Sequence, residues 1–453
     1  MNKSKLFLFV SLFSITSISA SASSLVDVYQ QALENDTLMR SYEARYEAGK
    51  EYSRIARAAM LPEIDLNASY NKTDQDTFDN INNTRANTDS TGKSWSANLS
   101  QTLFDMSVWY QYKRGNILSE QAEAQFGADQ QDLIVRVAEA YFNVLRAIDH
   151  LEASVAEENA LAQQLNQAKQ RFDVGLIAIT EVHEAQASYD SATAATLQAR
   201  GLVGIRFEEL EVITGREERG VAPLAADFPI LPPAPADRSE WVEFALQNNY
   251  LLKASRLNAE ASRQNAKATS ADRLPTLKAN ASYSESDNDG NTATPSTAFD
   301  RTVEGTQVGV SLNVPLFGRA RTALTRQAYA NYTQAQELFN NTQRNTVQSA
   351  RSLHLTLETD VARVKARKQA IVSNQSALEA TQSGYEVGTR NLVELLLAQR
   401  NLYQARRDYS DALYDYVIDS FRLREVAGIL TPADIQSVDK WLQANRLKRR
   451  DDF

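Results

Sequence analysis

Residues 63 to 71 alternate between two faces, with Ile64, Leu66, Ala68 and Tyr70 on one and Glu63, Asp65, Asn67, Ser69 and Asn71 on the other. The same period of two returns at Trp95, Ala97 and Leu99, at Leu277, Ala279, Ala281 and Tyr283, and at Val308, Val310, Leu312 and Val314. That period is the mark of a β-strand with one apolar face. Four strands are predicted, at about 63–71, 94–104, 276–284 and 306–315, each of roughly the length a tilted strand needs to cross a bilayer. Segments 72–93 and 285–306, rich in Asn, Asp, Thr, Ser and Gly, read as long loops joining each pair. Alternation alone leaves open whether the apolar face meets lipid or the core of a soluble sandwich.

After each strand pair the period lengthens. No proline interrupts Asp105 to Phe172 or Gly318 to Tyr385, and at 1.5 Å per residue each helix would reach roughly 100 Å. Val144, Leu151, Glu158, Leu165 and Phe172 form a seven-residue seam in the first, and Leu357, Val364, Ile371, Leu378 and Tyr385 in the second. The helices that return after each Val-Gly turn carry seams of their own: Val182, Tyr189, Thr196, Val203 and Leu210, then Leu395, Leu402, Tyr409, Tyr416 and Leu423. Heptads on both arms predict two antiparallel coiled-coil hairpins, with tips at 173–179 and 386–391.

The chain is also written twice. Leu61-Pro62 and Asn67-Ala68-Ser69-Tyr70 return 213 positions later as Leu274-Pro275 and Asn280-Ala281-Ser282-Tyr283, and the same offset carries Val174-Gly175 to Val387-Gly388 and Gly215 to Gly428. The expected organisation is a first repeat over 23–215, a Pro-rich extended linker over 216–236, a second repeat over 237–428 and a tail over 429–453. The linker holds five of the ten prolines. The mixed charges of the tail, Arg446 to Asp452, read as a solvated run.

Composition narrows the class. The 453 residues include no cysteine, which excludes a disulfide scaffold, thiolate metal sites, a cysteine nucleophile and a lipid-modified N-terminal cysteine. A net charge of −9 argues against a nucleic-acid partner. Residues 1–22 read as a cleaved secretory signal peptide: Lys3 and Lys5, then the apolar stretch Leu6 to Ile18, then Ala20-Ser21-Ala22 at the cleavage spacing. No later run is apolar enough to cross a bilayer as a helix. Four strands cannot close a barrel, and an open edge in hydrocarbon strands backbone groups at several kcal/mol each. If the strands face lipid, subunits must share one barrel, and a trimer supplies twelve strands.

Gln170-Arg171-Phe172-Asp173-Val174-Gly175-Leu176-Ile177-Ala178-Ile179-Thr180-Glu181-Val182 and Gly384-Tyr385-Glu386-Val387-Gly388-Thr389-Arg390-Asn391 closely resemble the two hairpin-turn motifs of the TolC family of outer-membrane efflux channels. The resemblance runs from Leu25-Val26-Asp27-Val28-Tyr29-Gln30-Gln31-Ala32 to about residue 435. It implies a mainly α protein with membrane β: two repeats, each of two strands and a coiled-coil hairpin, in a homotrimer with one 12-stranded barrel and a helical periplasmic tunnel. It also implies outer-membrane lipid around the barrel, a periplasmic adaptor (membrane fusion) protein, and an inner-membrane RND, ABC or MFS transporter as partners. The activity implied is a passive exit duct for tripartite efflux pumps or type I protein secretion.

The resemblance further places a gate on Tyr385 and Arg390, with Thr180 and Glu181 as their partners. It sets a pore constriction at Glu394 and adaptor-contact tips at Val174, Gly175, Leu176, Val387, Gly388 and Thr389. Glu181 and Glu394 stand where the family has aspartate, and Leu397 where it has a second pore acid, so one carboxylate ring replaces two. From the residues alone, Glu181 and Glu394 are first-turn acids that suit a helix dipole, and Asn391 with Glu394 forms a capping box.

A secreted structural coiled-coil protein without channel activity would share the heptads, but leaves the alternating strands and the duplication unexplained. No enzymatic motif is present. His150, His183 and His354 are scattered, read as solvated or satisfied side chains, and no cofactor or metal is expected.

Overall fold

A computed structural model describes residues 24–291, 298–443 and 446–452. The predicted signal segment 1–22 lies outside them. Helix α1 (Leu25–Asn35) starts at Ser24, whose hydroxyl accepts from the Asp27 backbone N–H while the Asp27 carboxylate accepts from that of Ser24, and α2 (Thr37–Ala58) starts at Asp36. Strands β1 (Glu63–Asp79) and β2 (Thr84–Phe104) follow. Then come α3 (Met106–Asp173), 68 residues long, and α4 (Ile179–Thr214). After the two-residue strand β3 (Gly220–Val221), the order repeats as α5 (Arg238–Asn248), α6 (Tyr250–Ala271), β4 (Thr276–Asn291), β5 (Ala298–Asn313), α7 (Arg319–Glu386) and α8 (Leu392–Val426). The starts of α1 and α5, α2 and α6, β1 and β4, α3 and α7, and α4 and α8 all lie 213 positions apart, so the duplication is structural. Helix α9 (Pro432–Asp439), strand β6 (Lys448–Arg449) and a single 3-10 turn (Arg450–Asp452) follow.

The strands form one antiparallel sheet in the order β1-β2-β4-β5, which leaves β1 and β5 as its edges. The apolar bases of the strands are where alternation puts them. The segments read as long loops are not loops, however: the β1–β2 ladder runs on from Glu63↔Ser100 to Asp79↔Thr84 and turns through Asn80 to Asn83. The β4–β5 ladder likewise continues to Asn291↔Ala298. A ladder is held by backbone bonds and needs no apolar face where the strand stands in water, so Thr, Asn and Asp extend it without the period-two signature.

The seams of the long helices are buried along the middle of the hairpins, whereas Phe172, the last residue of the α3 seam, is exposed at the tip. Leu151 is 1% exposed, Val203 2%, Leu357 5% and Leu402 2%. The principal core gathers α1, the middle of α3, the end of α4 and the C-terminal half of α8, with Tyr141, Phe142, Phe207 and Phe421 among its largest fully buried side chains.

Two segments differ from expectation. The stretch read as an extended linker is packed onto the helices: Val221 and Ala222 are fully buried, and the Ala222 backbone N–H and C=O both bond the Tyr141 hydroxyl at 2.9 Å. The charged tail is not a solvated run either. Strand β6 pairs with β3, Lys448 Nζ lies 2.6 Å from Asp149 and 3.1 Å from Glu152 on α3, and Arg450 bridges Glu208 and Glu211 on α4. The tail is a clasp across the first hairpin, built from charges whose partners are far away in sequence.

Candidate channel wall and gate

Residues opposite one another in an antiparallel ladder share a face of the sheet. Ile64 pairs with Leu99, Leu66 with Ala97, and Ala68 with Trp95. Leu99 in turn pairs with Ala281 and Ala97 with Tyr283, and beyond them Ala281 pairs with Val308, Ala279 with Val310 and Leu277 with Leu312. The register therefore merges the four alternating patterns into a single apolar face, on which Trp95 and Tyr283 pack with ring centres 5.1 Å apart. Ile64, Leu66 and Val308 are each over 70% exposed. The opposite face carries Asp65, Asn67, Asn98, Ser96, Lys278, Asn280 and Ser311. An exposed apolar face backed by a polar one is the section of a barrel wall with lipid outside and water within.

At the far end of the helices the chain turns between Asp173 and Ile179, and again between Glu386 and Leu392. Gly175 (φ 77°) and Gly388 (φ 80°) are left-handed there, a conformation that costs a side-chain-bearing residue roughly 1–2 kcal/mol. Val174, Leu176 and Val387 project into solvent at 70%, 73% and 76% exposure. Behind the tips lies a second, small core in which Tyr385 is buried among Leu161, Leu165, Val182, Leu392 and Leu395.

Of the predicted gate residues, Tyr385 takes part in a link between the hairpins, with a partner the sequence did not suggest. The Arg171 guanidinium lies 4.8 Å from the centre of its ring, joining the end of α3 to the end of α7. Arg171 stands in the first turn motif, yet nothing in sequence separates it from an ordinary surface charge. Arg390, in the turn before α8, pairs with Glu394 in the first turn of that helix at 3.1 Å, and Asn391 Oδ1 accepts from the Glu394 backbone N–H at 2.9 Å while its amide donates to the Glu394 carboxylate. Glu394 thus serves both as a capping partner and as a counter-ion. Thr180 is exposed and Glu181 half-buried at the start of α4, and among the described residues no hydrogen bond joins either to Tyr385 or Arg390. Leu397, at the position of a second pore acid, is half exposed.

Higher up, the hairpins are held by ion pairs that sequence reading missed. Arg407 of α8 meets Glu157 of α3 at 2.9 Å with both side chains largely buried, and Arg146 reaches Asp415 at 2.6 Å. Arg407 and Glu157 line a cleft of about 620 Å³ between α3, α4 and α8. His150 lies 2.9 Å from Asp411. His354 is 2% exposed, and neither ring nitrogen has a hydrogen-bond partner among the described residues, the Glu358 carboxylate standing 3.6 Å from Nδ1.

A model of the outer membrane efflux protein family matches residues 28–216 and 241–429, one match for each structural repeat. The chain belongs to the outer membrane efflux protein family. It is 36% identical over 423 residues to the outer membrane protein TolC of Vibrio cholerae, covering 93% of this chain and 94% of that one. It is 30% identical over 424 residues to the alkaline protease secretion protein AprF of Pseudomonas aeruginosa, covering 92% and 87%. A crystal structure of CusC, described for its transmembrane channel formation, superposes with a TM-score of 0.75 at 16% identity over 90% of this chain and 92% of that one. The efflux family is a family of channels and not of enzymes.

Proposed function

We propose that the chain forms a passive trimeric exit duct in the outer membrane, extending into the periplasm and serving tripartite efflux pumps, type I protein secretion or both. The observation that carries this reading is the sheet. It has a lipid-type face, a water-type face and two unpaired edges, mounted on helices of 68 residues. A four-stranded sheet with free edges cannot stand alone in hydrocarbon. Three copies joining β5 of one to β1 of the next close twelve strands with no edge left, and twelve helical arms continue the tube for roughly 100 Å. Membership of the outer membrane efflux protein family and the likeness to AprF, an alkaline protease secretion protein, agree with the two routes of export.

The duct has no reaction of its own, so an inner-membrane transporter of the RND, ABC or MFS kind supplies the energy through a periplasmic adaptor. The adaptor meets the exposed tips at Val174, Gly175, Leu176, Val387, Gly388 and Thr389. Tyr385, Arg390, Thr180 and Glu181 hold the periplasmic end closed, and three copies of Glu394 form the acidic constriction. Purified trimers added to a planar bilayer conduct ions. Replacing Tyr385 and Arg390 together by alanine raises single-channel conductance. Folded trimers that never conduct overturn the duct, and an unchanged conductance in the double variant overturns the gate alone.

A further inference from the structure

We propose that the foot of the barrel carries a site for the headgroup of an anionic phospholipid of the inner leaflet, lined by Arg273, Arg319, Arg321 and Arg326. The proposal deepens the duct reading and rests on it, since it requires strands inserted in a bilayer.

The level of the site follows from what stands beside it. The apolar face of the sheet ends at Leu277, Leu312 and Val314, and the long helices begin a few residues below. The first two turns of α3 present Trp109, Tyr110 and Tyr112, with the Lys113 ammonium 5.4 Å from the Trp109 ring centre. Tryptophan and tyrosine beside a basic residue, just past a lipid-facing segment, mark the headgroup layer.

At the equivalent level of α7 there is a cavity of about 570 Å³ whose nine lining residues include the four arginines and no acid. Among the described residues none of these guanidinium groups has a carboxylate within 4.0 Å, whereas Arg136, Arg146, Arg363, Arg407 and Arg450 all do. Among the described residues the polar contact these guanidinium groups make is Arg273 to the Thr325 hydroxyl, at 3.5 Å. Against the arginines lie Leu316 and Phe317, 91% and 85% exposed. Leu316 continues the period of two set by Val310, Leu312 and Val314, which carries the apolar face of β5 down to the foot beside the arginines.

The first repeat shows that the strand-to-helix junction does not itself demand this charge. The positions 213 residues earlier hold Met60, Met106, Val108 and Lys113. There α3 receives an anion from its own chain, as Asp105 Oδ1 accepts from Ser107 N–H at 2.9 Å and Val108 N–H at 3.3 Å. In α7 the corresponding residue is Gly318, which offers no side-chain cap. Free phosphate would satisfy the arginines but not Leu316 and Phe317. A phosphate that carries acyl chains satisfies both.

The test is native mass spectrometry of delipidated trimers incubated with phosphatidylglycerol and phosphatidylethanolamine. Each basic residue near an anionic surface is worth about fivefold in affinity. Wild-type trimers are expected to retain phosphatidylglycerol at least about tenfold better, Arg319→Gln/Arg321→Gln/Arg326→Gln to retain both lipids alike, and the triple lysine variant to keep the preference. An equal preference in the glutamine variant overturns the site. So does displacement of the lipid by inorganic phosphate alone, which marks a free-anion site. Absence of any preference in wild-type trimers, as when a neighbouring subunit covers the cavity, overturns it as well. Trimers that conduct but show no preference leave the duct standing, whereas a wild-type chain that never enters bilayers overturns both.

Discussion

Replacing Glu425 by glutamine removes one carboxylate from a crowded acidic corner where α8 meets α3. Burial pushes the Glu425 carboxyl up to about 7, Asp132 and Glu139 add repulsion in the same direction, and Arg422 offsets part of it. A folded-state value above the unfolded one means that the native state holds the proton more tightly. The stabilising contribution is then complete below pH 4.5 and declines as pH rises to about 7. The gap from 4.5 to about 7, at about 1.4 kcal/mol per pH unit, sets an upper bound of about 3 kcal/mol. Partial exposure reduces this to roughly 1–2 kcal/mol. Glu425→Gln should therefore stabilise the trimer by roughly 1–2 kcal/mol at pH 8 and leave it nearly unchanged at pH 4.5, read as the midpoint of denaturant unfolding at each pH. Asp360, which burial and neighbouring acids raise to about 6, titrates in the same window. Being present in both proteins, it cancels in the difference. A gain of equal size at both pH values would mean that the effect is not ionisation, and a loss at pH 8 would refute the reasoning.

Two further changes test the frame. Gly428 (φ 72°) ends α8 where an added Cβ would stand 2.3 Å from the Asn248 carbonyl oxygen, whereas at Gly388 (φ 80°) nothing lies within 4 Å. Gly428→Ala should abolish or sharply lower the yield of folded trimer, while Gly388→Ala costs roughly 1–2 kcal/mol at a hairpin tip; equal thermal midpoints for the two variants would contradict this. Lys448→Met leaves Asp149 with only the Ser410 and Tyr414 hydroxyls and Glu152 without its cation. We expect a loss of roughly 1–3 kcal/mol in denaturant unfolding and faster proteolysis of the tail, and an unchanged variant would show the clasp to be idle.

The elements legible in the sequence are those whose cause is local. Heptads announce the hairpins because each seam residue meets its partner across a turn only a few residues long, and period-two alternation announces the strand bases because hydrocarbon enforces it. The upper strands escaped because Thr73, Asp74 and Asp76 stand in water on both faces and only backbone pairing defines them. The clasp escaped for a different reason. Lys448 and Asp149 are 299 positions apart, and a charge reads as solvated until the fold supplies its partner. The turn motifs located the ends of both hairpins, yet the contact between them, Arg171 against Tyr385, depends on how α3 and α7 lie side by side and leaves no pattern in either segment.

The distribution of buried side chains along the tube bears on which part can move. The core beneath the barrel joins 36 buried residues from both repeats, and it is reinforced by the Arg146, Arg363 and Arg407 pairs and by the tail clasp. The core at the tips has 10, mostly leucine and alanine, and beside that apolar packing the hairpins are joined there by a cation resting on an aromatic ring. Such a contact is worth roughly 0.5–2 kcal/mol. Elements that move are drawn from the low-stability end of a structure. Separating the two hairpin ends would expose only this small core and, among the described residues, break no buried ion pair there, whereas the same separation higher up would open the larger core and pull apart the largely buried Arg407–Glu157 pair. An opening driven by a docked partner is therefore confined to the lower end of the tube, and the wall above it acts as a fixed lever.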